Sequence, residues 1–183
     1  MSKLGILISG RGSNMQAIAA AFPGDVALVL SNREQAPGLA WAAQQGLATC
    51  ALPSAGRERE VYDRDVVERL KTAGVELVCL AGYMRLLSRV MLDAFPNRIL
   101  NIHPSLLPAF PGLDATQQAI AYGVKFSGCT VHYVDQTLDG GPIIAQAVVP
   151  VLAGDTADTL AARILIEEHK LYPQAIRDVL RRG

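Results

Sequence analysis

The sequence has 183 residues, of which 50% are hydrophobic and 19% are charged. This length suits one compact domain with a sizeable core, and the composition excludes an intrinsically disordered chain. Lysine plus arginine and aspartate plus glutamate each number 17, so the net charge is zero and the basic excess of a typical nucleic-acid-binding protein is missing. The first apolar run is too short for a signal peptide or a membrane span. We therefore expect a cytoplasmic protein, monomer or homodimer, that binds neither nucleic acid nor membrane.

The three cysteines indicate free thiols rather than a disulfide framework. Cys50, Cys79 and Cys129 are far apart and lie in apolar surroundings. The sequence contains no Cys-x-x-Cys pair and no His/Cys cluster with metal-ligand spacing, so no metal site is expected.

In chain order, the first half alternates apolar strands with helices. Strands are predicted at 3–9, 26–30, 49–52 and 77–80, and helices at 13–22, 36–45 and 57–73. Continuous apolar strands separated by long helices are typical of βαβ units, whose parallel sheet is covered on both faces.

The second half contains a different pattern. Strands are predicted at 99–102, 127–134 and 143–149, and helices at 116–122 and 156–180, with Pro173 kinking or splitting the last helix. Together the elements predict a single α/β domain, 1–183, with a Rossmann-like, mostly parallel, twisted sheet and helices on both faces. The domain is predicted to consist of an N-terminal half, about 1–100, and a C-terminal half, about 101–183. Its ligands are predicted to bind at the carboxyl ends of the strands.

A glycine-rich turn, "SGRGSN", joins the first strand to the first helix. Backbone N–H groups in such a turn, together with the helix N-terminus, favour an anion, although a tight turn with an N-cap explains the residues equally well. A dinucleotide fingerprint would need a small residue where Met15 stands and an acidic residue where Ser31-Asn32-Arg33 follows the second strand. The Lys-Ser/Thr of a P-loop is missing too, so a single phosphate is the better-fitting ligand.

A strand end and a separate loop carry the residues suited to catalysis. Asn101 and His103 are two residues apart, so their side chains point to the same side of a strand that Pro104 ends. Asp139 lies in "LDGGP", where it is either a turn residue or a carboxylate beside His103. The sequence does not decide whether these elements meet.

The motifs together resemble the folate-dependent formyltransferases. They are "GRGSN", "SNREQAPGLAWAAQQG", "LAGYMRLL", "NIHPSLLPAFPGL", "LDGGP" and "EEHKLYP", in the order typical of that family and over nearly the whole chain. The resemblance implies the formyltransferase fold, 10-formyltetrahydrofolate as co-substrate, and glycinamide ribonucleotide, a purine precursor, as the amine that receives the formyl group.

The same resemblance implies a role for each site residue. The catalytic set would be Asn101, His103 and Asp139, and the substrate-binding residues would be Gly12, Ser13 and Asn14 around the phosphate, with Glu168 on the ribosyl-glycinamide. The folate-binding residues would be Arg59, Met84, Arg85, Leu86, Leu87, Asn101, Asp135, Gln136, Thr137, Leu138 and Asp139.

The implied chemistry is direct attack of the amine on the formyl carbon. Asn101 and a protonated His103 would stabilise the oxyanion, Asp139 would stabilise the imidazolium, and His103 or a water would protonate the departing folate nitrogen. Neither a protein nucleophile nor a metal is needed.

Two positions depart from the family pattern, and two other reactions stay open. Asp114 stands where the family usually has a histidine, and Leu165 stands where some members have a polar residue. A hydrolase that releases formate shares the Asn, His and Asp set, although such enzymes usually carry an extra N-terminal domain. Two alternatives remain. One is a transferase that acts on another amine, and the other is a non-catalytic module that binds phosphate or folate.

Overall fold

A computed structural model of the chain describes residues 2–182. Contacts within the chain group into two compact units, one up to Leu100 and one from Asn101 onward. The first unit contains β1 (Leu4–Ile8), α1 (Ser13–Ala21), β2 (Val26–Ser31), α2 (Pro37–Gln44), β3 (Thr49–Ala51), α3 (Arg59–Thr72), β4 (Leu77–Leu80) and α4 (Arg89–Ala94). The remaining elements are β5 (Ile99–His103), α5 (Ala115–Tyr122), β6 (Phe126–Tyr133), β7 (Ile143–Pro150) and α6 (Ala157–Arg182).

The strands form one sheet in the order β3-β2-β1-β4-β5-β6-β7. β1 pairs in parallel with β2 and β4, and β2 pairs in parallel with β3, whereas β6 and β7 are antiparallel. The predicted α/β class with a mostly parallel sheet is therefore confirmed. The chain order reverses direction between β1 and β4, which is where open α/β sheets bind ligands at the carboxyl ends of the strands.

The first unit is built around β1, whose five residues are all buried. Burial on both faces explains why this strand is a continuous apolar run rather than an alternating one. Helix α3 begins at a side-chain cap, because Glu58 accepts hydrogen bonds from the backbone N–H groups of Glu60 and Val61. These two bonds lower the pKa of Glu58. A carboxylate at this end also interacts favourably with the helix dipole.

The second unit pairs a long hairpin with a long helix. Helix α6 packs on both β6 and β7, and its buried side chains include Leu160, Ile164, Tyr172 and Ile176. Pro173 was predicted to kink or split this helix, and the kink stays a prediction. The split is wrong, because α6 runs unbroken from 157 to 182 with Pro173 buried inside it. Its burial in the packed face offsets the backbone hydrogen bond that proline cannot donate.

Helix α4 was not predicted. It has only six residues, and Met91 is its one buried side chain, so its sequence carries too little periodicity to be recognised.

We expect that Gly128→Ala will destabilise the hairpin. A Cβ at this position of β6 would overlap the carbonyl oxygen of Ala147 on β7 and lie 2.8 Å from Leu106 Cδ2. Overpacking against backbone costs about 1–3 kcal/mol, and equilibrium urea unfolding should show a loss of that size. The matched control is Gly10→Ala, where an added Cβ meets no atom within 4 Å. An unchanged unfolding free energy in Gly128→Ala would contradict this account of the strand pair.

Candidate active site

Four polar side chains of the second unit converge at the ends of β5 and β6. Asn101 and His103 lie on β5, His132 lies on β6, and Asp139 lies in the loop between β6 and β7. Asp139 Oδ2 is 3.5 Å from His103 Nδ1, and Asp139 Oδ1 is 4.0 Å from His132 Nε2. One carboxylate therefore faces two imidazoles, and the Asn101 amide nitrogen lies 3.3 Å from the second of them, at His132 Nε2.

The His103 ring is held at both nitrogens. Its Nε2 lies 2.8 Å from the carbonyl oxygen of Phe110, which can only accept, so this nitrogen carries a hydrogen. Its Nδ1 faces Asp139, and a second proton there would give the imidazolium an acceptor on each side. Direct contact between His103 and a substrate oxygen therefore requires one of these two partners to be exchanged.

Asp139 is fixed by the backbone rather than by a cationic side chain. The N–H of Gly112 donates to its Oδ2 at 2.7 Å, and its side chain is only 12% exposed. The residue has φ 49°, in the left-handed region, which aspartate tolerates better than most residues. This conformation and this N–H aim the carboxylate into the cluster.

The second glycine of "LDGGP", Gly141, has a structural explanation. A Cβ there would overlap the carbonyl oxygen of Tyr133, while the Tyr133 N–H donates to Pro142 O at 2.9 Å. The loop that carries Asp139 is therefore closed by backbone groups in a space that admits no side chain. At its other end Asp135 accepts a hydrogen bond from Thr137 N at 2.7 Å, which forms an Asx turn.

The segment after β5 is anchored so that Phe110 and Gly112 reach the cluster. Thr130 donates to Ser105 O at 2.7 Å and accepts from Leu107 N at 3.0 Å. Gln146 donates to Leu107 O at 2.9 Å. Hydrogen bonds from β6 and β7 thus position this segment.

The first unit presents two features at the carboxyl ends of its strands. Gly12 adopts φ 71° and ψ 36° just before α1, and its carbonyl accepts the first helical bond from Gln16 at 2.9 Å. The turn is fixed across the sheet edge by the N–H of Gly38, which donates to Gly10 O at 3.0 Å. The first N–H groups of α1 follow this turn, which is the arrangement that favours an anion.

The second feature is a cleft of about 380 Å³ lined by Arg57, Arg59, Met84, Arg85 and Leu86. The Met84 N–H donates to Ser9 Oγ at 2.7 Å, so the loop after β4 is tied to the turn after β1. The Ser9 hydroxyl in turn donates to Asn32 Oδ1 at 2.5 Å. Two guanidinium groups that line the cleft lie over the Tyr62 ring: Arg57 is 5.2 Å and Arg85 4.5 Å from the centre of that ring. The three arginines that line the cleft favour an anionic ligand.

Comparison with known proteins assigns the family. The formyl transferase family matches residues 2–176. The chain belongs to this family.

Individual members of the formyl transferase family resemble the chain over most of its length. The crystal structure of glycinamide ribonucleotide transformylase 1 from Symbiobacterium toebii is 55% identical, with a TM-score of 0.94 over 97% of this chain and 86% of that one. Phosphoribosylglycinamide formyltransferase of Escherichia coli is 46% identical over 93% of this chain and 84% of its own length. The trifunctional purine biosynthetic protein adenosine-3 of Drosophila pseudoobscura pseudoobscura is 45% identical over 95% of this chain. The chain spans only 13% of that trifunctional protein.

The structure distributes the predicted site residues over three places. The predicted catalytic residues of a formyl transferase, Asn101, His103 and Asp139, share the cluster of the second unit. Of the residues predicted to bind folate, Arg59, Met84, Arg85 and Leu86 line the cleft of the first unit, and Leu87 does not. The predicted phosphate-binding residues Gly12, Ser13 and Asn14 begin α1.

The other predicted residues lie in the second unit. Asp135, Gln136, Thr137 and Leu138 are exposed in the loop that carries Asp139. Glu168 is buried on α6, where its charge helps to raise the pKa of the Cys129 thiol to about 12, after burial of the thiol itself. Asp114 begins α5 at φ 55° with an exposed side chain, and within residues 2–182 it makes no side-chain hydrogen bond or ion pair.

Four contributors were not identified from the sequence as parts of a site. They are the Phe110 carbonyl, the Gly112 N–H, the Arg57 side chain and the His132 side chain. Of these, only His132 left a signal, because Thr130 and His132 are polar at a spacing of two in an apolar strand, like Asn101 and His103 on the neighbouring strand.

Residues 2–182 contain neither a metal-binding cluster nor a membrane-spanning helix. No group of three or more His, Cys, Asp or Glu residues there is arranged to hold a metal ion. No helix in that range combines the length and apolarity needed to cross a bilayer.

The buried His132 and the half-buried His169 predict a loss of stability on mild acidification. Burial lowers the pKa of His132 and of His169, so the unfolded chain binds more protons than the folded one just below pH 6.5. Stability should therefore be fully present above about pH 6.5 and fall below it, by up to about 1.4 kcal/mol per pH unit for each proton. Chemical unfolding at pH 7.5 and 5.5 measures this, and His132→Gln should lose less than the wild type. Equal losses would show that His132 does not contribute.

Proposed function

We propose that the protein transfers the formyl group of 10-formyltetrahydrofolate to the amine of glycinamide ribonucleotide, a step of purine biosynthesis. The observation that carries the proposal is the Asn101, His103 and Asp139 cluster in a chain of the formyl transferase family. The relatives from Escherichia coli, a phosphoribosylglycinamide formyltransferase, and from Symbiobacterium toebii, a glycinamide ribonucleotide transformylase, support this acceptor.

The proposed reaction is a direct displacement at the formyl carbon. The amine nitrogen forms a bond to that carbon, and the carbonyl oxygen becomes an oxyanion. The bond to the folate nitrogen then breaks as that nitrogen takes up a proton, while the attacking nitrogen loses one. Formylated ribonucleotide and tetrahydrofolate result, with no change in oxidation state.

Each side chain of the cluster has a role that its contacts support. Asn101 has an amide N–H that can donate to the oxyanion, and such preorganised donors are the largest single contribution in many acyl transfers. His103 moves the proton, and Asp139 across 3.5 Å stabilises its charged form. The Phe110 carbonyl holds the other end of the ring and so orients it.

The first unit supplies binding groups in this proposal. Gly12, Ser13 and Asn14 bind the ribose 5-phosphate through the N-terminus of α1, and the cleft lined by Arg57, Arg59 and Arg85 binds the folate. In the second unit, Glu168 is proposed to bind the ribonucleotide, and the loop from Asp135 to Asp139 is proposed to bind folate.

A folate absorbance assay tests the acceptor. Purified protein with 10-formyltetrahydrofolate should turn over only when glycinamide ribonucleotide is added, and the product should carry the formyl group. Formate release without the ribonucleotide would instead establish a hydrolase. Turnover only with a different amine would keep the transferase but replace the acceptor.

Asn101→Ala should lower kcat by about 10²–10³-fold, the usual cost of one oxyanion donor. KM for folate should change little, because the interaction strengthens only as the oxyanion forms. Steady-state kinetics measures both values. Gln174→Ala is the control, because Gln174 is exposed on α6 and its side chain donates to Asp178 on the same helix. Full activity in Asn101→Ala would remove Asn101 from the mechanism.

A further inference from the structure

His132 is a buried titratable residue that the proposed reaction does not use. It is only 2% exposed, and the pairing of β6 with β7 shifts register between Val131 and His132. Such irregularities re-aim a side chain and are common beside active sites. Here the re-aimed ring lies against Asn101 and Asp139 instead of in the apolar core.

The hydrogen bonds of His132 define its tautomer. Its Nδ1 lies 2.9 Å from the carbonyl oxygen of Tyr133, and a carbonyl only accepts, so Nδ1 carries the hydrogen. In the neutral ring Nε2 is then an acceptor. The Asn101 amide nitrogen lies 3.3 Å from it and donates.

This bond decides which end of the Asn101 amide is available to a ligand. One of its two N–H bonds is used by His132, and within residues 2–182 the side chain makes no other hydrogen bond. The second N–H is left for an external acceptor. If the amide were turned over, its oxygen would take the place of the nitrogen, and a lone pair would face any developing negative charge.

We propose that His132 is a positioning residue for formyl transfer, which acts through Asn101 by accepting one amide hydrogen and so directing the other toward the formyl oxygen. This inference rests on the proposed function and adds a fourth residue to it.

The charges around His132 make its neutral form a condition of activity. Burial lowers the pKa of His132 and outweighs the Tyr133 carbonyl, Asp139 and Asp135, which favour the charged ring, while His103 on β5 disfavours it. A second proton would convert Nε2 into a donor, which Asn101 could meet only by turning its amide. It would also place a second cation at Asp139, in competition with His103. Acidification should therefore lower kcat through His132.

Two variants of His132 separate positioning from packing. His132→Phe keeps a ring of similar size and removes the acceptor. His132→Gln keeps an acceptor oxygen of similar reach and has no group that titrates between pH 5 and 9. Both are made alone and with Asn101→Ala, and formyl transfer and thermal unfolding are measured for every variant.

The expected result is a non-additive cycle. His132→Phe should lower kcat by about 10²-fold, approaching the loss in Asn101→Ala, with KM for folate within about threefold of wild type. In the Asn101→Ala background the same change should cost less than about threefold, because the residue through which it acts is gone. His132→Gln should recover kcat to within about tenfold of wild type, and its acid limb should move to lower pH.

Three results would overturn the inference. One is a folded His132→Phe variant with undiminished kcat. Another is an equal loss in both backgrounds, which would mean that His132 acts by another route. The third is His132→Gln with an unchanged acid limb; this variant carries the test if His132→Phe fails to fold.

A failure of the proposed function is distinguishable from these. If the wild type releases formate without the ribonucleotide, the acceptor is wrong and the same cycle is measured on formate release. If the wild type leaves the folate unchanged with every amine, the proposed function fails and the inference with it. The ¹⁵N shifts of His132 then report separately whether the ring is neutral and protonated at Nδ1.

Discussion

The geometry of the second unit depends on the hydrogen bond from the Gly112 N–H to the Asp139 carboxylate. This bond joins the segment after β5 to the loop after β6, and it leaves the carboxylate facing His103 and His132. A neutral backbone N–H holds the carboxylate here, whereas an arginine would place a positive charge beside it. The carboxylate that faces both imidazoles is therefore positioned by a backbone contact.

The same unit shows why close backbone packing is needed for chemistry. At Gly128 of β6 and at Gly141 of the following loop, a backbone carbonyl occupies the space where a Cβ would lie: that of Ala147 for Gly128 and that of Tyr133 for Gly141. These contacts set the spacing of the β6–β7 hairpin and close the loop that carries Asp139. The loop can then hold its aspartate in a left-handed conformation, a cost that surrounding structure must offset. The second glycine of "LDGGP", Gly141, is thus explained by sterics.

Sequence reasoning reached the fold class and the three side chains of the cluster for identifiable reasons. Continuous apolar strands predicted the parallel sheet, and the spacing of two between Asn101 and His103 predicted that both point to one side. Contact with Asp139 came from the family resemblance, because no local pattern relates residues on different elements. The Phe110 carbonyl and the Gly112 N–H could not be predicted, since every residue has such groups and only the fold decides where they point. The continuity of α6 through Pro173 likewise depends on tertiary burial.

The contacts of His103 limit how its ring can reach a reacting atom. With Nε2 on the Phe110 carbonyl and Nδ1 facing Asp139, a protonated ring is satisfied on both sides before any substrate binds. The ring can reach a departing nitrogen only if it gives up one partner, and a water between them is the alternative route for the proton. Asn101 is under no such constraint, because one of its N–H bonds is uncommitted. Under the proposed function, the stabilisation of the oxyanion therefore falls first on Asn101, and the orientation of its amide is the feature that the other contacts of the cluster maintain. A neutral imidazole fixed at Nδ1 by the Tyr133 carbonyl is suited to that task, because it can accept the amide hydrogen and has no proton of its own to offer in return.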